Sequence, residues 1–292
     1  MSTLEGKIIR AVGGIYYTET AEGVLACKAR GIFRNRSVSP AAGDNVTVTV
    51  EENAEPLIDG IAERKNLLVR PPLANLDMVL LVVSSCEPAP NAYIIDKLIS
   101  IFESKDIETA LIFTKTDMRG CPELAEVYEK AGYMCFFTDL SSSADDIRTY
   151  AEGRVTALIG NSGVGKSSLM NRIFPELNTE TGEISRKLGR GRHTTREVCM
   201  YKLGSGYIAD TPGFSTVDIE RYGRIPKEEL AGCFPEFAPY IGKCRFADCA
   251  HLKESGCAVT AAVSEGDIAR SRYDSYARIY AETAELEKKF HN

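Results

Sequence analysis

Three groups of residues have the types and spacing that chemistry requires. The first is GNSGVGKSS, made of Gly160, Asn161, Ser162, Gly163, Val164, Gly165, Lys166, Ser167 and Ser168. It fits G-x-x-x-x-G-K-[ST] from Gly160 to Ser167, follows the apolar run VTALI and opens into SLMNRIF, a helix start. Glycines let the backbone turn tightly and aim N–H groups at phosphates, and a helix N-terminus adds a favourable dipole. In that setting Lys166 reaches the β- and γ-phosphates and Ser167 ligates Mg²⁺. Downstream, DTPG (210–213) ends the apolar run YIAD. Asp210 is expected to hold Mg²⁺, and the Gly213 N–H to sense the γ-phosphate. Between them lies GRGRHTTREV (189–198), whose glycines predict mobility. One of its threonines is expected to complete the Mg²⁺ shell. Thr194 and Thr195 are adjacent, and the sequence alone does not choose between them; Thr195 is preferred.

The second group is TKTD: Thr114, Lys115, Thr116 and Asp117, after the apolar run ALIF. The Asp117 carboxylate can accept from the ring N–H and the exocyclic amine of guanine. Adenine presents the wrong pattern and leaves the acceptor poorly paired. The Lys115 stem can lie over the base. Asparagine is the commoner first residue, so Thr114 is a departure expected to weaken a supporting hydrogen bond.

The third group is Cys244, Cys249, His251 and Cys257, spaced C-x₄-C-x-H-x₅-C. Three thiolates and one imidazole suit tetrahedral zinc, and four protein ligands leave no open position, so the expected zinc is structural. The chain has three histidines, and one falls inside this cluster. Cys233 lies outside the pattern and is expected to pack. A module this small is expected to need its metal to fold.

The base reader precedes the phosphate loop, the reverse of most GTP-binding domains. In an open parallel sheet the ligand loops gather beyond the carboxyl ends of the strands, so spatial position matters more than chain order. Domain termini often lie close together, so joining them and cutting elsewhere preserves the site. The order here is a circular permutation of the usual GTPase order. Where many GTPases place a water-orienting glutamine, this chain has Phe214. His193 is the candidate substitute, able to orient the attacking water or accept its proton. Its alternative role is to bind RNA or hold the loop. Arg190, Arg192 and Arg196 suit transition-state charge or rRNA phosphates equally.

The elements that must position these groups read as follows. Residues 1–68 alternate apolar and polar between Gly-rich turns, which predicts a small OB-type β-barrel. VRPPLAN (69–75) reads as a linker, because two adjacent prolines interrupt regular structure. Residues 69–222 carry near-continuous apolar strands with helical stretches between the early ones. That pattern predicts a parallel sheet covered on both faces, a circularly permuted P-loop α/β domain. Residues 223–292 carry the metal cluster and one long helix, with Ser264 as its N-cap and a stripe running from Ile268 through Arg272, Tyr276 and Ile279 to Phe290. The fold class is multidomain α+β, ending in a small helical zinc-binding domain.

Composition narrows the partners. A net charge of −6 argues against coating nucleic acid by bulk charge. A local patch remains: Lys28, Arg30, Arg34 and Arg36 occur with no acid between Glu22 and Asp44, and small barrels often bind RNA on such a face, with Phe33 available to stack. Arg270, Arg272 and Arg278 add a weaker basic side to the last helix. Nine cysteines, an odd number, suit a reducing compartment; Cys27, Cys86, Cys135 and Cys199 read as core or near-core, and Cys121 as a loop residue. No run of about 18 apolar residues and no signal peptide appear, which predicts a cytoplasmic protein without a membrane segment.

In the order TKTD, GNSGVGKSSLMN, GRGRHTTR, DTPGF and CRFADCAHLKESGCAV, nearly the whole chain resembles the ribosome small-subunit-dependent GTPase A (RsgA/YjeQ) family of circularly permuted bacterial GTPases. The resemblance implies an OB barrel, a permuted GTPase domain and a C-terminal zinc domain. It also implies GTP hydrolysis late in maturation of the small (30S) ribosomal subunit, stimulated by that subunit, with 16S rRNA, GTP and GDP as partners. Nothing in the sequence demands a dimer, so a monomer is expected. A second function class shares these motifs: a nucleotide-gated RNA-binding module whose hydrolysis is incidental.

Overall fold

The computed structural model describes residues 2–31, 33, 38–178, 198–211 and 225–290. Five strands open the chain: β1 (Ser2–Val12), β2 (Ile15–Thr20), β3 (Gly23–Ala29), β4 (Asn45–Val50) and β5 (Leu57–Ile61). β1 pairs antiparallel with both β2 and β4, β3 runs parallel to β5, and β5 returns to β4. The circuit closes as β1-β2-β3-β5-β4-β1, an OB-type barrel without open edges. β1 serves two partners by bending: its register with β2 shifts between Ile8 and Arg10. Inward-facing Ile8, Cys27, Val46, Val48 and Ile58 form the core with Phe33.

The expected linker is instead a hairpin. β6 (Leu67–Val69) and β7 (Pro72–Ala74) pair antiparallel, with Leu68, Leu73 and Ala74 fully buried. The prolines are tolerated because Pro71 lies in the turn and Pro72 starts its strand, where a missing N–H costs little. Gly43, at φ 87°, packs against this hairpin so closely that a Cβ would lie 2.1 Å from the Ala74 carbonyl oxygen.

The remaining strands are β8 (Met78–Ser84), β9 (Glu108–Thr114), β10 (Met134–Thr138), β11 (Val155–Gly160), β12 (Cys199–Leu203) and β13 (Gly206–Asp210). Helices α1 (Ala92–Glu103), α2 (Pro122–Lys130), α3 (Asp145–Ala151) and α4 (Lys166–Ile173) alternate with them. α1 starts where the Asn91 side chain accepts from the Ile94 N–H, and it buries Ile95, Leu98, Ile99 and Phe102. α2 starts with proline in its first turn, with Glu123 beside it and Lys130 in the last turn, matching the helix dipole.

The chain divides into two compact units: Met1–Leu80 with Ser143–Gly160 and Lys166–Gly213, and Leu81–Ser142 with Asn161–Gly165 and Phe214–Asn292. In the first unit the strand order is β11-β13-β12 followed by β1 and the rest of the barrel. β11 and β13 are parallel as predicted, but β12 is antiparallel to β13, joined to it by the short Gly204–Ser205 turn. In the second unit the order is β10-β9-β8, with β9 and β10 parallel.

The C-terminal segment also departs from the sequence reading. Among the described residues it contains two α-helices, α5 (Ala258–Glu265) and α6 (Arg270–Phe290). Gly266 adopts φ 83° and closes α5, its N–H reaching back to the Ala262 and Val263 carbonyls. Ser264 is therefore not an N-cap; it lies at the end of α5, its hydroxyl donating to the Thr260 carbonyl at 3.0 Å. Arg272 does not contribute to a basic surface either. It is 1 % exposed, bonding Glu236 through Nε and Nη2 at 2.7 and 3.0 Å and Asp96 through Nη1 at 2.8 Å. Its guanidinium lies over the rings of Phe234, Tyr133 and Tyr128, Phe234 packs with Phe237 and Tyr276, and Cys233 is buried as a packing residue. Among the described residues, no helix is long and apolar enough to cross a membrane.

Candidate functional site

β11 is buried along nearly its whole length and delivers the chain to Gly160. Residues 161–165 then turn, and α4 begins at Lys166. Gly163 and Gly165 hold φ 79° and 100°, a left-handed conformation that side chains resist, which is why this loop needs glycine there. Lys166 is 8 % exposed, and its ammonium donates to the Gly160 carbonyl at 2.6 Å. Burial pushes its pKa down to about 8, and the opposing charge of Asp210 only partly compensates. Asp210 closes β13, where Leu158 and Asp210 are register partners. Thr211 locks that end by donating to the Leu158 carbonyl at 2.7 Å. Ser162, Gly163, Ser167 and Ser168 are exposed, Asn161 is half-buried and Val164 is buried. The loop thus presents backbone, hydroxyls and one buried ammonium, the donor set a polyphosphate needs.

The segment Thr114–Asp117, expected from sequence to read the base, comes to the same loop. β9 is buried through Thr114, whose hydroxyl donates to the Val164 carbonyl at 2.6 Å and lies 3.3 Å from the Val83 carbonyl. Threonine here makes the link to the phosphate loop itself, where a weakened support was expected. Gly165 faces the same side chain, so a Cβ there would lie 3.7 Å from the Thr114 hydroxyl. Lys115 turns the chain at φ 58°, and its ammonium donates to the Glu87 carbonyl. Thr116 donates its N–H to the Thr138 carbonyl at 3.5 Å, and Asp117 is exposed. The residues of Asp139–Ser142 form a tight turn, the Asp139 carboxylate accepting from the Ser141 and Ser142 N–H groups at 2.7 and 2.8 Å. Sequence reasoning passed over this turn, although Asp followed by serines is an Asx-turn signal. It also passed over Ser85, which bonds the main chain of Thr114 and Lys115 and has no motif to mark it.

Cys244, Cys249, His251 and Cys257 converge, all four donor atoms lying within 4.8 Å of one another. The His251 Nδ1 is 3.4 Å from the Cys244 sulfur and 3.5 Å from the Cys257 sulfur, and those sulfurs are 3.9 Å apart. A tetrahedron with Zn–S bonds of about 2.3 Å has S···S edges of roughly 3.8 Å, so the donors fit zinc. Backbone N–H groups of Ala258 and Thr260 donate to the Cys244 and Cys257 sulfurs. The Glu254 carboxylate gathers the N–H groups of Ala250, Leu252 and Lys253 and shapes the intervening turn. Metal analysis of the native protein is expected to find one zinc per chain. Cys244→Ser is expected to lose it and to expose residues 230–265 to protease, since such sites contribute folding energy directly. A metal-free native protein with an intact module would defeat this assignment.

The barrel patch is less open than the sequence suggests. Lys28 pairs with Glu55 at 2.6 Å and Arg30 pairs with Asp59, acids supplied from outside the run that holds the basic residues. Phe33 is 7 % exposed in the barrel core, so it is not a stacking platform. Arg34, Arg36, Arg190, Arg192, His193, Thr194, Thr195, Arg196, Gly213 and Phe214 lie outside the described residues.

Comparison with known proteins agrees with this architecture. Models of the RsgA N-terminal domain and the RsgA GTPase match residues 5–58 and 61–220. A Bacillus cereus protein named small ribosomal subunit biogenesis GTPase RsgA is 40% identical, covering 98% of this chain and 99% of its own length. The crystal structure of YjeQ from Thermotoga maritima superposes with TM-score 0.79 at 33% identity, covering 97% of this chain and 99% of that one. The structure of YloQ, described as a circularly permuted GTPase, gives TM-score 0.78 at 34% identity over 98% and 96% of the two chains. The chain is therefore a member of the RsgA family of circularly permuted GTPases.

Proposed function

We propose that this GTPase acts in the biogenesis of the small ribosomal subunit. The observation that carries the nucleotide reading is the Thr114–Val164 hydrogen bond, which fastens the guanine-reading segment to the phosphate loop across 50 residues of sequence. The assembly role rests on the relatives that bear that name. Residues 160–168 cradle the phosphates, Asp117 reads guanine, and the exposed Ser167 hydroxyl and the Asp210 carboxylate are the groups that would hold Mg²⁺, completed by Thr195 or Thr194. Mg²⁺ supplies charge neutralisation between the phosphates when bound. His193 orients the attacking water. Residues 1–68 and 223–292 flank the GTPase segment 69–222 as contacts to 16S rRNA and the subunit, and the protein works as a cytoplasmic monomer.

The deciding experiment is single-turnover GTP hydrolysis with purified small subunits, large subunits and neither. Small subunits are expected to raise the rate by orders of magnitude, as groups supplied in trans do for other GTPases. His193→Ala is expected to lower the stimulated rate by about 10²-fold. Equal rates under all three conditions would leave a nucleotide-gated RNA-binding module as the better description.

The low pKa of Lys166 gives a further expected result. Triphosphate beside the ammonium raises its pKa above the free value of about 8. The contribution of charged Lys166 to affinity is therefore complete below pH 8 and declines as pH rises above it. Calorimetry at pH 8.5 in buffers of different ionisation enthalpy should show proton uptake on GTP binding, and none in Lys166→Met. Proton release, or no buffer dependence, would contradict this placement of the lysine.

A further inference from the structure

The short stretch Ser84–Glu87 joins β8 to the loop before α1, and it holds the base-reading segment in place. Ser85 is 4 % exposed. Its backbone N–H donates to the Thr114 carbonyl at 3.0 Å. Its hydroxyl lies 2.8 Å from the same carbonyl and 2.9 Å from the Lys115 carbonyl. In an extended strand successive residues face opposite ways, so one hydroxyl does not ordinarily reach two consecutive carbonyls. The left-handed turn at Lys115, φ 58°, brings them to one side, where a single proton serves both. Non-glycine residues seldom keep that conformation unless their surroundings impose it. The same stretch also takes the Lys115 side chain: the Glu87 carbonyl accepts from the Lys115 ammonium and, at 2.8 Å, from the Ser84 hydroxyl.

We infer that Ser85 is a positioning residue for guanine recognition. It fixes the main-chain turn at Lys115, and that turn aims the Asp117 carboxylate two residues later. The inference rests on the reading of Asp117 as the guanine acceptor. Without the Ser85 hydroxyl the turn relaxes, and the loss falls on the two-point contact between carboxylate and base edge. The phosphates keep their own donors in residues 160–168. Inosine retains the ring N–H of guanine and lacks the exocyclic amine, so the ratio of GTP to ITP affinity reports the aim of Asp117.

The test measures dissociation constants for GTP and ITP, together with subunit-stimulated kcat, on the full zinc-loaded chain. Ser85→Ala is expected to weaken GTP about 10-fold, equivalent to about 1.4 kcal/mol. ITP, which has only the ring N–H contact to lose, should weaken less, so the GTP:ITP ratio shrinks, with kcat at saturating GTP retained. Ser85→Thr keeps the hydroxyl and should restore the ratio. Ser85→Cys keeps the bulk with a weaker donor and should fall between, which keeps the test available if the alanine variant does not fold. An unchanged ratio in the Ala or Cys variant, or equal weakening of GTP and ITP, overturns the role of Ser85 alone. A wild-type protein that binds GTP and ITP equally would instead defeat the reading of Asp117 beneath it.

Discussion

Arg272→Ala is expected to destabilise the protein by about 3–5 kcal/mol, the cost of removing one partner from a buried ion network. Arg272 and Asp96 are each 1 % exposed, and Glu236 sits on the other side of the guanidinium. Burial works against the arginine charge, but Glu236 and Asp96 more than offset it and hold its pKa above the ordinary value. The ring of Phe234 lies 4.7 Å from the guanidinium carbon, and those of Tyr133 and Tyr128 at 5.5 and 5.7 Å. Alanine leaves two carboxylates facing each other in an apolar setting, with a cavity between aromatic rings. Burial already raises the Asp96 carboxyl, with Arg272 pulling it back down. In the variant that restraint is gone, so the folded state takes up a proton first as pH falls. The stability deficit should therefore shrink towards acidic pH. Urea unfolding of wild type, Arg272→Ala and Arg270→Ala provides the measurement. Arg270 is exposed and pairs with Asp274 four residues on, so its removal should cost about 0.5 kcal/mol or less. Equal midpoints for the two variants would refute the argument.

Asp117→Asn is expected to lower GTP affinity by about 10²–10⁴-fold. Two hydrogen bonds from guanine to a charged acceptor contribute roughly 1.5–3 kcal/mol each, and each 1.4 kcal/mol is tenfold in affinity. The amide replaces one acceptor by a donor that meets the exocyclic amine head-on. Xanthine carries a carbonyl at that position, so the variant should gain affinity for XTP as it loses GTP. Because Asp117 is exposed, its own removal should leave the fold intact, and unfolding midpoints should match wild type. Calorimetric titration with GTP, XTP and ATP decides the matter. Unchanged GTP affinity, or a loss for GTP with no gain for XTP, would place base recognition elsewhere.

The two predictions differ in how they became visible. The metal-ligand cluster and the strand–turn–helix junction at Gly160–Lys166 are legible in sequence because each motif acts through neighbours in the chain. A phosphate cradle is one tight turn at a strand–helix junction, and the zinc ligands Cys244 and Cys257 are 13 residues apart. Covalent spacing alone brings such groups together, so residue type and spacing identify them. The barrel was legible for a related reason: alternation over short strands leaves few ways to bury one face.

Tertiary structure alone decided which distant groups meet. Arg272 reads as one of several basic residues on a helix until Asp96, 176 positions away, is seen beside it. Lys28 and Arg30 read as an open patch until β5 and the turn before it bring Asp59 and Glu55 against them. The α5–α6 break was hidden because Gly266 allows a left-handed cap without requiring one. Ser85 carries no signal at all, since a serine after an apolar strand is common and its bonds to Thr114 and Lys115 span about 30 residues. Local chemistry is written into adjacent residues, whereas charge pairing and hydroxyl support depend on which surfaces packing presses together, and spacing along the chain does not encode that.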